Sequence, residues 1–202
     1  MLSLNIYKEL EEDDMDGQEM IENNSIILSE PEPEQNIQPQ IFHSIVYKWT
    51  LWAHLPHDTD WSLKSYKKIY DITAIEEMIA ITETIPDVLV KNCMLFIMKE
   101  GITPLWEDNS NKHGGCFSYK ISNKYVYEVW RDLTYVLIGN MISSNEQFVM
   151  SVTGITISPK KNFCIIKIWM NNCNFQNSAL ITQEVKGLSA QGCLFKKHSP
   201  EF

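Results

Sequence analysis

Apolar positions along this chain fall into two rhythms. From Ile45 to Trp52, β-branched and aromatic residues alternate briefly with polar ones, which predicts a strand. Ser65 to Tyr70 reads as a second, weaker strand. Thr73-Ala74-Ile75-Glu76 has the form of a capping box, and Ile75, Met78, Ile79 and Thr82 continue it as a helical stripe that Pro86 stops. Cys93 to Met98 is an apolar strand ending at Glu100-Gly101, and Cys116 to Ile121 is another, opened by Gly114-Gly115. Between Tyr125 and Ile138, apolar residues recur at Val126, Val129, Trp130, Leu133, Val136 and Leu137. That is helical spacing, with Gly139 as the stop. Val149 to Ile157 and Phe163 to Met170 read as a hairpin across Ser158-Pro159-Lys160-Lys161-Asn162. A helix is expected from Ser178 to Lys186, ending at Gly187, and a short strand from Gly192 to Lys196. Strands outnumber helices and several neighbours are joined by short turns, so the fold class is α+β with a mostly antiparallel sheet.

Charge divides the chain in two. Residues 1–40 hold eleven acids and one base, Lys8, which leaves fifteen acids against sixteen bases in the rest. The net charge of −9 therefore describes the head of the chain and does not argue against nucleic-acid binding by the remainder. Residues 1–40 are read as a flexible acidic tail, with Ser29-Glu30-Pro31-Glu32-Pro33-Glu34 as an extended linker, and 41–202 as the core-bearing domain. Five cysteines, at 93, 116, 164, 173 and 193, show neither CxxC nor metal spacing. Reduced structural thiols in a cytoplasmic protein are expected. The acidic N-terminus has no signal-peptide pattern, and no apolar run approaches membrane-spanning length.

Two loops carry candidate chemistry. In Gly101-Ile102-Thr103-Pro104-Leu105-Trp106-Glu107-Asp108 an indole is followed at once by a carboxylate. An indole face attracts a flat cationic ring, and a carboxylate accepts two parallel N–H bonds from such a ring's edge. N7-methylguanine is a ring of that description. A second indole, Trp61, lies in a polar loop with no apolar periodicity to bury it, and Trp169 ends the run from Phe163. Trp49, Trp52 and Trp130 sit inside strand or helix patterns and are read as core. His54-x-x-His57 with Asp58 and Asp60 resembles a metal cluster in composition only, so neither a metal nor a cofactor is expected.

With these motifs in this order, the chain resembles the eukaryotic translation initiation factor 4E family of cap-binding proteins. The matching stretches are Trp49-x-x-Trp52, Trp61, Gly101-Ile102-x-Pro104-x-Trp106-Glu107-Asp108, Asn111-Lys112-x-Gly114-Gly115, Trp130 with Leu137-Ile138-Gly139, and Ile168-Trp169. They extend over roughly Phe42 to Lys197. The resemblance implies a curved antiparallel sheet with about three helices packed on its convex face and a cap slot on the concave side. It implies that Trp61 and Trp106 sandwich the base, that Glu107 accepts from its N1–H and exocyclic amine, that the Trp106 N–H bonds its O6, and that Trp169 touches the N7-methyl group. Lys160 stands where the family usually has an arginine for the phosphates, with Lys161 beside it, and His113 replaces another. Lysine is a point charge rather than a fork, so grip there is expected to be less directional. Lys160 and Lys161 also read as a solvated turn, and Lys196, Lys197 and His198 either reach the nucleotides after the cap or form a solvated end.

On the helical side the resemblance implies a partner surface of Ile45, Ile75, Ile79, Asp132 and Tyr135. Ile79 takes the place of a dorsal tryptophan, and Arg131 that of a leucine. The expected partners are capped messenger RNA and a 4G-type scaffold or a 4E-binding repressor, with the chain monomeric when alone. Translation initiation without catalysis is the main reading. A cap-sequestering repressor and a cap-modifying enzyme are the alternatives, and the chain shows no Gly-rich cofactor loop or carboxylate cluster for the latter.

Overall fold

A computed structural model describes residues 42–198. The acidic tail over 1–40 lies outside the described residues.

The seven strands among them are β1 (Ser44–His54), β2 (Tyr66–Ala74), β3 (Met94–Lys99), β4 (Gly115–Ser122), β5 (Val152–Pro159), β6 (Phe163–Met170) and β7 (Cys193–Lys197). They form one sheet in the order β2-β1-β3-β5-β6-β4-β7, with every neighbouring pair antiparallel. The helices are α1 (Ile75–Thr84), α2 (Asp87–Asn92), α3 (Val126–Ile138) and α4 (Glu146–Ser151). This is the expected α+β class.

Strand alternation sends side chains to two different environments. Trp49, Leu51, Ile97, Phe117, Ile155, Ile166 and Ile168 leave one face and meet Ile81, Val90, Trp130 and Leu133 from the helices in the main core. Phe96, Met98 and Trp169 leave the other face and gather Trp52, Tyr66, Met94 and Ile102 around them. Among the described residues no helix contributes to that smaller cluster, and it forms the floor of the candidate site. Its register is continuous. Trp52 pairs with Phe96, Phe96 with Thr156, Thr156 with Lys167 and Lys167 with Ser118. In the adjacent row Met98, Gly154, Trp169 and Cys116 stand side by side. Only glycine fits at 154, because a Cβ there would lie 2.4 Å from the Met98 Sδ and 2.5 Å from the Ile97 carbonyl oxygen.

Several elements differ from expectation. The capping residue of α1 is Glu77 rather than Glu76. Its carboxylate accepts from the backbone N–H of Thr73 at 2.7 Å and of Ala74 at 3.0 Å, while the N-cap position is Ala74, which has no side-chain acceptor. Glu76 instead holds His43, and those hydrogen bonds lower its pKa to about 2. Pro86 does end α1, and it also opens α2, whose Asp87 and Lys91 pair one turn apart. The alternation read from Val149 conceals α4, capped by the Asn145 side chain accepting from the Phe148 N–H at 3.0 Å.

The helix expected over Ser178–Lys186 shrinks to a single 3-10 turn, Ser178–Leu180. Its would-be ladder groups find other partners. The Thr182 N–H donates to the Ile142 carbonyl, the Gln183 amide to the Ile181 carbonyl, and the Asn177 side chain accepts from the Ala179 N–H. Ile181, Val185 and Leu188 still reach the core, as separate anchors along an irregular strap.

Candidate functional site

The β3–β4 loop is rigid by construction. Gly101, in the left-handed region at φ 79°, turns the chain out of β3. Asp108 then closes the loop on itself. One of its oxygens accepts from the Thr103 N–H at 2.9 Å and hydroxyl at 2.7 Å, and the other accepts from the Ser110 N–H at 2.8 Å. Burial alone would raise the Asp108 pKa, but these bonds outweigh it and hold the carboxyl below its ordinary value. Fully buried Asn111 donates to the Thr103 and Leu105 carbonyls at 3.1 and 2.8 Å. Trp106 and Glu107 are left at the tip, both exposed. The third residue of the Trp-Glu-Asp motif is therefore a staple for the first two.

The β1–β2 loop presents Trp61 by a different device. Asp58 accepts from the Asp60 N–H at 2.9 Å, and Asp60 from the Ser62 N–H at 2.8 Å, giving two linked Asx turns around the indole. His54, buried at the end of β1, donates through Nε2 to the Asp60 carbonyl at 2.9 Å and lies parallel to Trp61. The histidine and aspartates that looked metal-like thus build an indole support. Trp61 remains 56% exposed.

Tyr66 packs behind the Trp61 support. Its ring packs edge-on against His54 at 5.0 Å and Phe96 at 5.4 Å. Burial, and then the nearby charge of Glu107, push its pKa up to about 12. The charge of Glu107 thus reaches the ring that packs against His54, the imidazole that backs Trp61.

Trp106 also has an imidazole beside it. His198 follows β7, donates its N–H to the Gly114 carbonyl, and lies parallel to Trp106 with 5.9 Å between ring centroids. It tilts against Trp169 at 5.0 Å. Its Nδ1 is 2.8 Å from the Asn111 carbonyl, which requires a proton on Nδ1 and leaves Nε2 as an acceptor. Burial lowers its pKa, the Asn111 carbonyl raises it, and Lys167 lowers it again. Nε2 is buried without a hydrogen-bond partner among the described residues.

The residues assigned by resemblance do not all converge. Trp61 and Trp106 are tied to the cluster on the open face, Trp61 through His54 and Tyr66, and Trp106 through His198 to Trp169. Lys160 and Lys161 are exposed in the β5–β6 turn, where the Lys160 N–H donates to the Phe163 carbonyl. At about 3.3 Å per residue, that turn lies roughly 20 Å along β6 from Trp169. His113 is exposed before Gly114, and it is His198 that stands against Trp106. The Nζ of Lys167 lies over the Trp106 ring, 5.7 Å from its centroid.

On the helical side, Ile75 and Ile79 of α1 remain exposed and Ile45 is half-buried. Tyr135 of α3 ties the two helices together, accepting from the Thr82 hydroxyl at 3.1 Å and donating to Glu83 at 2.7 Å. Asp132 is paired with Arg131 at 2.9 Å. The acid expected on this surface is thus already engaged by the residue that replaces a leucine.

The model of the family described as eukaryotic initiation factor 4E matches residues 44–200. The chain belongs to this family. Among curated relatives it is 27% identical over 148 residues to the eukaryotic translation initiation factor NCBP of rice (Oryza sativa subsp. japonica), covering 71% of this chain and 63% of that protein. It is 25% identical over 162 residues to the initiation factor 4E homolog of Acanthamoeba polyphaga mimivirus, covering 73% and 56%. Against initiation factor 4E-1 of Schizosaccharomyces pombe the identity is 27% over 149 residues, covering 70% and 66%. The chain thus spans between half and two thirds of the length of these relatives. Among solved structures, Ascaris suum eIF4E-3 with m7G cap superposes with a TM-score of 0.67 at 20% identity, covering 80% of this chain and 94% of that one. Schistosome eIF4E complexed with m7GpppG and 4E-BP superposes with a TM-score of 0.60 at 20% identity, covering 67% and 75%. These likenesses show the fold. Among the described residues, no helix is long and apolar enough to cross a membrane.

Proposed function

We propose that this chain binds the N7-methylguanosine 5′ cap of messenger RNA on the open face of its sheet and brings capped message to translation initiation in the cytoplasm. The observation that carries this reading is the pair of exposed indoles, Trp61 and Trp106, each lying parallel to a buried histidine, with Glu107 next to Trp106 in the chain. A cationic purine stacked between the indoles gains a cation–π contribution on each face. Glu107 accepts from N1–H and the exocyclic amine, so bases without those donors leave a carboxylate unpaired. The Trp106 N–H serves the O6, and Trp169 contacts the methyl group from the floor. Binding and release are the whole activity, since the family is one of non-enzymatic factors.

The helix face is the proposed docking surface for a 4G-type scaffold or a 4E-binding repressor, through Ile45, Ile75, Ile79, Asp132 and Tyr135. The schistosome relative was solved with both a cap analogue and a 4E-binding protein, which supports two separate surfaces. A cap-sequestering repressor is the second reading. It is favoured by the engaged Arg131–Asp132 pair and by isoleucine at 79, which together offer an ordinary helical partner less. Retention of capped and uncapped RNA of one sequence by the immobilised protein tests the cap reading. Equal retention would refute it.

A further inference from the structure

At the end of the sheet where β4 runs out towards α3, two lysines lie on aromatic rings. The Lys120 Nζ is 4.3 Å from the ring centroid of Phe163, and the Lys124 Nζ is 5.1 Å from that of Tyr125. Among the described residues neither lysine makes an ion pair, and the strands β4, β5, β6 and β7 contain no aspartate or glutamate. Lys120 is four residues after Cys116 in β4, and Phe163 is six before Trp169 in β6. Cys116 pairs with Trp169, so Lys120 and Phe163 leave the same open face as the candidate slot. Leu194 of β7, opposite Ser118, is 74% exposed on that face, and Tyr125 is 54% exposed just past the end of β4. Cations interleaved with exposed rings and apolar groups, without carboxylates among them, match what a single-stranded nucleic acid requires: ammonium groups for its phosphates and π-faces for its bases.

We propose that Lys120, Phe163, Lys124 and Tyr125 form a second RNA contact, which takes single-stranded nucleotides downstream of the cap. The inference rests on the cap-binding reading, which supplies the capped RNA, and extends it beyond the slot. Phe163 lies about 20 Å along β6 from Trp169. With phosphates about 3.4 Å apart along a stacked strand, that span is about six nucleotides. A cap nucleotide alone does not reach it, whereas a message continuing from the slot across the open face does. The phosphates of that message meet Lys120 and Lys124, and its bases stack on Phe163 and Tyr125 in place of the ammonium groups. The contact reads no sequence, because every base offers a π-face. An acidic peptide would use the lysines and leave the rings idle, so the pairing of the two favours RNA.

The test is fluorescence anisotropy with an unstructured RNA of about twelve nucleotides, long enough to pass the six-nucleotide span, capped and uncapped, at several salt concentrations. Tryptophan quenching with N7-methyl-GTP is measured beside it. The proteins are the full chain, K120A/K124A, F163L, Y125L and, as a control for lost charge, K67A/K68A on β2 at the opposite edge of the sheet. K120A/K124A is expected to bind both RNAs about tenfold more weakly and to lower the slope of log affinity against log salt by about 1.4. F163L and Y125L keep an apolar side chain and are each expected to lose about fivefold. All three variants should bind N7-methyl-GTP as wild type does, and K67A/K68A should bind the RNAs nearly as wild type does. Y125L carries the aromatic arm of the test if F163L folds poorly. Wild-type RNA affinity in K120A/K124A would overturn the inference. So would an equal loss for N7-methyl-GTP, an equal loss in K67A/K68A, or competition by polyglutamate as strong as that by RNA of matched charge. Equal binding of capped and uncapped RNA by wild type would refute the slot alone, and the variants would still decide this site.

Discussion

The imidazole of His54 lies parallel to the indole of Trp61, with 4.3 Å between ring centroids and 5° between planes. One face of Trp61 is thereby occupied from within the fold while the other stays free. His54 is itself fixed, by its bond to the Asp60 carbonyl and by the edge of Tyr66. The indole is held ready for a ligand instead of being ordered by it, which reduces the entropy lost on binding.

His54→Ala should therefore weaken cap-analogue binding without touching the ligand. Loss of one aromatic stack is worth about 0.5–1.5 kcal/mol, and calorimetry should show it mainly as a less favourable entropy. Unchanged affinity in a well-folded variant would mean that Trp61 does not depend on its backing ring.

Asp108 gives a contrasting case. In Asp108→Ala the N–H groups of Thr103 and Ser110 lose their shared acceptor. Such half-buried donors cost about 1–3 kcal/mol when left unpaired. Denaturant unfolding should record that loss, and cap affinity should fall with it because Trp106 and Glu107 lose their staple. A drop in affinity with wild-type stability would instead place Asp108 on the ligand.

His198 sets an acid limit. The unfolded imidazole titrates near 6.5, and burial holds the folded one lower. Above 6.5 both states are neutral and His198 adds no pH dependence. As the pH falls below that value the unfolded chain takes up a proton that the fold resists, so stability declines towards the folded pKa. Melting temperatures measured between about pH 7.5 and 5 should show this decline in wild type and less of it in His198→Asn, which keeps a donor for Asn111 but does not titrate there. Identical profiles would remove His198 from the account.

Legibility in the sequence followed how local each signal was. Trp106-Glu107 could be read as a presented pair because glycine, proline and polar residues surround it within a few positions. Helix α3 could be read because its apolar stripe runs unbroken for three turns. Lys167 was hidden in an apolar run, although its even spacing from Trp169 placed the two on one face. His198 had no local signal, since its partner Trp106 lies on another loop far away in the chain. The helix expected after Ser178 failed because Ile181, Val185 and Leu188 mimic helical spacing. Side-chain and long-range bonds there satisfy the backbone instead. The capping box slipped by one residue because Glu77, rather than Glu76, reaches the Thr73 and Ala74 N–H groups.

The partner surface yields to one substitution. Ile79 is 45% exposed on α1 and gives a docking helix less flat contact area than an indole. Ile79→Trp should strengthen binding of ordinary 4E-binding peptides about tenfold and leave cap affinity unchanged. Nanomolar binding of such a peptide by wild type, measured by calorimetry, would show that the isoleucine is no handicap.

The central claim is that Trp61, Trp106 and Glu107 form a slot for a cationic purine. Tryptophan quenching by GTP and by its N7-methylated form tests it most directly. The methylated nucleotide should bind at least about tenfold more tightly, because only its base is cationic. Trp61→Ala and Trp106→Ala should each cost it about 1–3 kcal/mol, and Glu107→Ala at least as much. Equal affinity for the two nucleotides in wild type would contradict the account.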